Sequence, residues 1–277
     1  MRKTVAILLA VMMVLSLAGT VFAQPPERPD VPGPKQSLVA LGDSITAGYG
    51  LERNLSRVSR KAYPQLLGDE IGYRVTNLAV AGMTSGEVLE AVQSNNRYRN
   101  AIARADLIIL NVGGADMLGF LYGVLEGQID PITEGEQLII SLAFNVTSII
   151  GEIKSLNPEV PILLFNIYEP YPVSVWLELE SPEVLSVLLG FLGEVNGVIY
   201  NIAEAYESFF VDAYTAFEDY PGSELEKAAL LFVDEVHPST LGQVLLYNAA
   251  YEVLDDADLL YSRPMPPGLA EKAAMVQ

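Results

Sequence analysis

A serine, a histidine and an aspartate carry the most chemistry this chain offers. The apolar ladder Leu38-Val39-Ala40-Leu41 breaks into Gly42-Asp43-Ser44, so a buried-looking strand ends by presenting a hydroxyl. A serine hydroxyl is a poor nucleophile until a base removes its proton, and the usual base is a histidine held in one tautomer by a carboxylate. The chain has one histidine, His237. It serves as that base or no imidazole does. Asp234 lies three residues earlier, close enough for a loop or a single turn to bring its carboxylate to one ring nitrogen while the other faces outward. Read alone, the same residues also fit a turn capped by Asp234, with His237 leading into a helix.

Other chemistries find little support. Cysteine is absent, which removes thiol nucleophiles and thiolate metal ligands and means that an exported protein here folds without disulfides. With one histidine, the only metal site left open is a carboxylate calcium site, and Asp255-Asp256-Ala257-Asp258 lacks the spacing of a dedicated loop. Gly113-Gly114 is too short for a phosphate cradle, and no nucleotide fingerprint follows any strand-like run. Neither a metal nor a cofactor is expected.

The elements that must position these residues are legible as a pattern. Strand-like runs at Leu38 to Leu41, Val75 to Leu78, Leu107 to Val112, Ile162 to Ile167 and Phe209 to Val211 alternate with helical spacing at Ala62 to Ile71, Thr84 to Val92, Glu134 to Leu156, Pro182 to Ala205 and Thr240 to Leu254. Such alternation predicts an α/β fold, a three-layer α/β/α sandwich on a five-stranded parallel sheet of flavodoxin-like type. Thr84-Ser85-Gly86-Glu87 reads as a capping box at the start of one of the helices. Open sheets of this kind bind ligands beyond the carboxyl ends of their strands, which is where Ser44, Gly82 and Gly113 to Asp116 fall.

Met1 to Ala23 carries Arg2 and Lys3, then an apolar run, then Val21-Phe22-Ala23 before Gln24. This is the pattern of a secretory signal peptide, with an uncleaved membrane anchor as the alternative. No other segment reads as transmembrane. Residues 24–36 hold five prolines in thirteen positions and suit an extended leader, so the folded domain is expected over residues 37–260 with a loosely attached tail at 261–277. Loss of residues 1–23 moves the net charge from −19 to −21. A surface this acidic repels phosphate backbones and anionic headgroups, which argues against nucleic acid as a partner.

In the order of its blocks the chain resembles the SGNH hydrolases of the GDSL lipase and esterase superfamily. The resemblance spans most of Ser37 to Leu254. Gly42-Asp43-Ser44-Ile45-Thr46-Ala47-Gly48-Tyr49-Gly50 is similar to the first family block and implies Ser44 as nucleophile. Asn77-Leu78-Ala79-Val80-Ala81-Gly82 is similar to the second and implies that the Gly82 amide joins the Ser44 amide in an oxyanion hole. Asp234-Glu235-Val236-His237-Pro238 is similar to the fifth and implies Asp234 and His237 as carboxylate and base. The third block departs from its pattern of Gly-x-Asn-Asp, because Gly113-Gly114-Ala115-Asp116 puts Ala115 where the family's asparagine donates to the oxyanion. Losing one such donor costs about 100- to 1000-fold in rate. Asn111 and Asn166 are the candidate substitutes, and Asn166, near the end of the fourth strand, is the better placed. Asp116 reads as a turn or cap residue.

The resemblance implies a secreted serine hydrolase of carboxylic esters, without cofactor and with no specific protein partner. The alternative is a non-catalytic acyl- or glycan-binding protein that keeps the scaffold and has lost turnover at Ala115. Phe120, Leu121, Tyr122, Trp176, Leu177, Leu188 and Phe191 are apolar residues near the expected active edge, and either wall an acyl groove or form the buried faces of two helices. Tyr168-Glu169-Pro170-Tyr171-Pro172 resembles a loop of some bacterial lipase-like members, which tilts the expected small-molecule ester towards a lipid-like acyl ester.

Overall fold

The structure is a computed structural model and describes residues 35–55, 57–170, 182–232, 234 and 236–260. The expected signal segment, almost all of the proline-rich leader, the tail, and Tyr171, Pro172, Trp176 and Leu177 lie outside the described residues.

Five short apolar runs form strands: β1 (Ser37–Gly42), β2 (Arg74–Asn77), β3 (Leu107–Asn111), β4 (Ile162–Phe165) and β5 (Phe209–Val211). They pair in parallel in the order β2-β1-β3-β4-β5. This is the doubly wound order whose switch point lies beside β1, so the carboxyl end of β1 opens into a crevice. The register sets Gly42 opposite Asn111 and thereby levels the ends of β1 and β3.

Alternation along the central strands explains the three layers. Val39 and Leu41, with Ile108, Leu110, Ile162 and Leu164, face one core, while Leu38 and Ala40, with Leu107, Ile109, Leu163 and Phe165, face the other. The first core is covered by α3 (Ser85–Ser94), α4 (Asn96–Ile102), α6 (Pro131–Leu156) and α7 (Pro182–Ala205). The second is covered by α2 (Tyr63–Glu70), α8 (Ala213–Glu218) and α10 (Thr240–Asp256). Burial of apolar area on both faces of the sheet, at about 25 cal/mol per Å², is the main stabilising force.

The strands and the long helices fall where periodicity places them, and α7 has the expected bounds. The turn α1 (Ser44–Ala47) and the helices α4, α5 (Gly114–Leu125), α8 and α9 (Glu224–Ala228) were not read as helices from sequence. Most are too short for a period to show. In α5 the sequence GADMLGFLYGVL is apolar nearly all round, which blurs any stripe. By length and composition α6 and α7 are also apolar enough to cross a bilayer, which the sequence reading did not flag, and each packs one face into the first core.

Candidate active site

The nucleophile turn is built by local chemistry at the end of β1. Asp43 is fully buried and caps α1, its Oδ1 accepting from the Ile45 amide at 2.9 Å. Gly42 allows β3 and α1 to close on the backbone: a Cβ there would stand 2.4 Å from both the Asn111 carbonyl oxygen and Thr46 Oγ1. The turn is then pinned from beneath. Gln243 Nε2 donates to the Ile45 carbonyl at 3.1 Å while its Oε1 accepts from the Tyr63 amide at 2.8 Å. Thr46 Oγ1 and the Tyr63 hydroxyl share a bond of 3.1 Å, and Asn111 Nδ2 donates to that hydroxyl at 3.1 Å. Asn111 therefore supports the floor of the turn.

The histidine arrives from a loop 193 positions away. His237 Nε2 lies 2.9 Å from Ser44 Oγ, and Nδ1 lies 2.8 Å from Asp234 Oδ2. With the carboxylate accepting at Nδ1, the neutral ring carries its proton there and offers Nε2 as acceptor to the serine hydroxyl. Asp234 Oδ1 also accepts from the backbone amides of His237 at 3.0 Å and Val236 at 3.2 Å. Partial burial pushes this carboxyl upward, but the backbone amide and imidazole of His237 together with the Val236 amide outweigh it and hold the group below its ordinary range. The loop is clamped by the Tyr168 hydroxyl, which donates to the Val236 carbonyl, and by the Phe232 amide, which donates to the His237 carbonyl at 2.8 Å.

Gly82 sits in the loop between β2 and α3, with φ of 80°. That loop extends the pairing with β1 beyond the strand, the Leu78 amide donating to Ala40 and the Val80 amide to Gly42. Asn77, a residue sequence reading quoted but gave no task, ties the loop to the nucleophile turn: its Nδ2 donates to the Thr46 carbonyl at 2.7 Å and its Oδ1 accepts from Ala79 at 3.0 Å. The capping box forms as expected, with Thr84 and Glu87 each accepting the other's amide.

Ala115 lies in the first turn of α5 and meets the nucleophile turn through its backbone. Its amide donates to Asp43 Oδ2 at 3.1 Å, and its methyl offers no donor. Burial pushes the Asp43 carboxyl up to about 6, against the pull of the Ile45 and Ala115 amides; the Asp116 charge acts in the same upward direction and His237 opposes it. Asp116 is a cap, as its type suggests, but across elements: it accepts from both the amide and the hydroxyl of Ser85 at 2.8 Å. The expectation for Asn166 needs correction. Its Nδ2 donates to Asp212 Oδ1 at 2.7 Å and its Oδ1 accepts from the Tyr214 amide at 2.9 Å. The carboxamide is thus oriented by the segment after β5, and its role is to fasten the start of α8.

An apolar pocket of about 680 Å³, open to solvent, begins at Ile45 and Val236, the neighbours of Ser44 and His237, and continues between α5 and α7. Leu121 and Leu188 line it, as the groove reading expected. Phe120 and Phe191 instead pack edge to face at 5.6 Å in a small core, and Tyr122 is half exposed. Both readings of the apolar residues therefore hold, each for part of the set.

Comparison with known proteins agrees with this arrangement. No curated protein sequence matches the chain. Among solved structures it is similar to the lipase Lip_vut3 from a goat rumen metagenome, at 19% identity and a TM-score of 0.61, covering 79% of this chain and 97% of that one. It is also similar to phospholipase A1 from Streptomyces albidoflavus NA297, at 20% identity and a TM-score of 0.60, covering 80% and 99%. The extracellular lipase from Streptomyces rimosus gives 20% identity and a TM-score of 0.59, covering 80% and 99%. At these identities the likeness establishes the fold. The family match is broader evidence: residues 40–245 match the GDSL-like Lipase/Acylhydrolase family from the nucleophile strand to the last helix, and the chain belongs to that family of ester-type hydrolases.

Proposed function

We propose that the chain is an exported serine esterase acting on carboxylic esters with an apolar acyl part. The observation that carries this reading is the hydrogen-bonded relay Asp234–His237–Ser44, at 2.8 and 2.9 Å, standing at the mouth of an apolar pocket. Ser44 Oγ bonds to the ester carbonyl carbon as its proton passes to His237 Nε2. The resulting oxyanion is received by the amides of Ser44 and Gly82. Collapse breaks the bond to the alcohol oxygen, which leaves with the proton from Nε2. Water then attacks the acyl-enzyme, giving its proton to Nε2; Ser44 recovers that proton as the acid departs. Asp234 stays ionised throughout and orients the ring.

Hydrolysis of p-nitrophenyl esters of graded chain length tests the reading. Ser44→Ala is expected to lower kcat by about 10⁶-fold with the fold intact. Turnover retained by this variant overturns the assignment. One observation favours a second reading, a binding protein without turnover: Ala115 brings no side-chain donor to the site. A fluorophosphonate probe separates the two. Stoichiometric labelling at Ser44 supports the enzyme, and no labelling together with a tightly held acyl or glycan ligand supports the binding protein. Export rests on the Met1 to Ala23 pattern. The expected mature mass begins at Gln24, and a membrane-bound product retaining Met1 would speak for an anchor.

A further inference from the structure

Both ring nitrogens of His237 are engaged, yet neither bond accounts for the face of the imidazole, where Tyr49 stands. The two ring centroids are 4.6 Å apart with planes inclined by 40°. Tyr49 belongs to the turn that presents the nucleophile, and its amide donates to the Ser44 carbonyl at 2.9 Å. The next residue, Gly50, has φ of 86° and passes so close to Phe232 that a Cβ would lie 2.8 Å from that ring. Phe232 in turn donates its amide to the His237 carbonyl. Residues 49 and 50 thus meet the histidine loop twice, once at the catalytic ring and once at the backbone that carries it.

We propose that Tyr49 is a positioning residue for the reaction, its ring holding the His237 imidazole towards Ser44 and stabilising the imidazolium formed when the serine proton is transferred. An aromatic face attracts a cation within about 6 Å of its centroid through the ring quadrupole, so the interaction strengthens as the proton arrives on Nε2. The other groups bearing on this ring are Asp234 at Nδ1, the buried Asp43 below the turn, and Ser44 at Nε2. The inference rests on the reading of Ser44, His237 and Asp234 as the catalytic set.

The test uses the full chain and a short p-nitrophenyl ester. Tyr49→Leu is expected to lower kcat by about 3- to 30-fold with KM within about twofold, and Tyr49→Phe to keep kcat near that of the parent protein. Progressively fluorinated phenylalanine at position 49 keeps the shape and weakens the quadrupole, so kcat is expected to fall stepwise along that series. A flat fluorination series, or a folded Tyr49→Leu protein with unchanged kcat, overturns the inference while the esterase reading stands. Thermal unfolding checks that each variant folds, and the fluorinated series decides the matter if the leucine variant does not. A parent protein with neither turnover nor probe labelling overturns both readings together.

Discussion

At the scale of single residues the site turns on Ala115 and Asp43. The family's third block places an asparagine where this chain has alanine, and the Ala115 amide is already committed to Asp43 Oδ2. Two backbone amides, those of Ser44 and Gly82, then carry the proposed oxyanion. A hole that lacks one donor is slower by about 100- to 1000-fold than a complete one. Ala115→Asn is therefore expected to raise kcat on a short ester by about 10- to 100-fold with little change in KM, since the gain appears only as charge develops on the carbonyl oxygen. Steady-state kinetics decide it: an unchanged or lower kcat would mean that the existing donors already suffice. Ala115 is partly exposed at the start of α5, so the longer side chain has room at the surface of the crevice.

At the scale of elements, α5 and α7 define what can enter. Leu118 and Leu121 from one helix and Leu185, Leu188 and Leu189 from the other face the same pocket, whose near end is Ile45 beside the nucleophile. Leu188 is buried, while Leu189 is half-buried and is the more tolerant position for a large side chain. Leu189→Trp is expected to fill the far part of the pocket. The specificity constant for long acyl esters should then fall by about tenfold while that for acetate or butyrate esters holds, because each buried CH₂ is worth about 0.8 kcal/mol. A profile of kcat/KM against chain length that keeps its shape would show that the acyl chain lies elsewhere. The same two helices explain a difficulty of the sequence. Their apolar residues serve a core and a pocket at once, Phe120 and Phe191 in the former and Leu121 and Leu189 in the latter.

At the scale of the molecule, a chain of net charge −19 keeps a fully buried carboxyl beneath its nucleophile. Asp43 is raised from the ordinary 3.8 to about 6, so the folded protein holds this proton to higher pH than the unfolded chain does. Its contribution to stability is complete below 3.8 and is lost as pH rises through about 6. Asp234 has the opposite sign: held below its ordinary range, it contributes above that range and loses its contribution as pH falls through its lowered value. Between these values Asp43 governs. Denaturant unfolding of the parent protein and of Asp43→Asn across pH 4 to 6 should show the parent losing stability relative to the variant as pH rises, by roughly 1.4 kcal/mol per unit at most. A constant difference would show that Asp43 titrates normally. Much of this architecture was legible beforehand. Apolar alternation marked five strands, helical spacing marked the long helices, and the sole histidine three residues from an aspartate marked the base, because period and residue type are properties of the chain itself. Tertiary structure alone decided the rest. It turned Asn166 towards Asp212, bound the Ala115 amide to Asp43, laid Tyr49 against His237 and opened a pocket between α5 and α7. The physical reason is that periodicity assigns a residue to a face of its own element, whereas the partner it meets depends on how elements far apart in sequence are packed and on where each side chain then points.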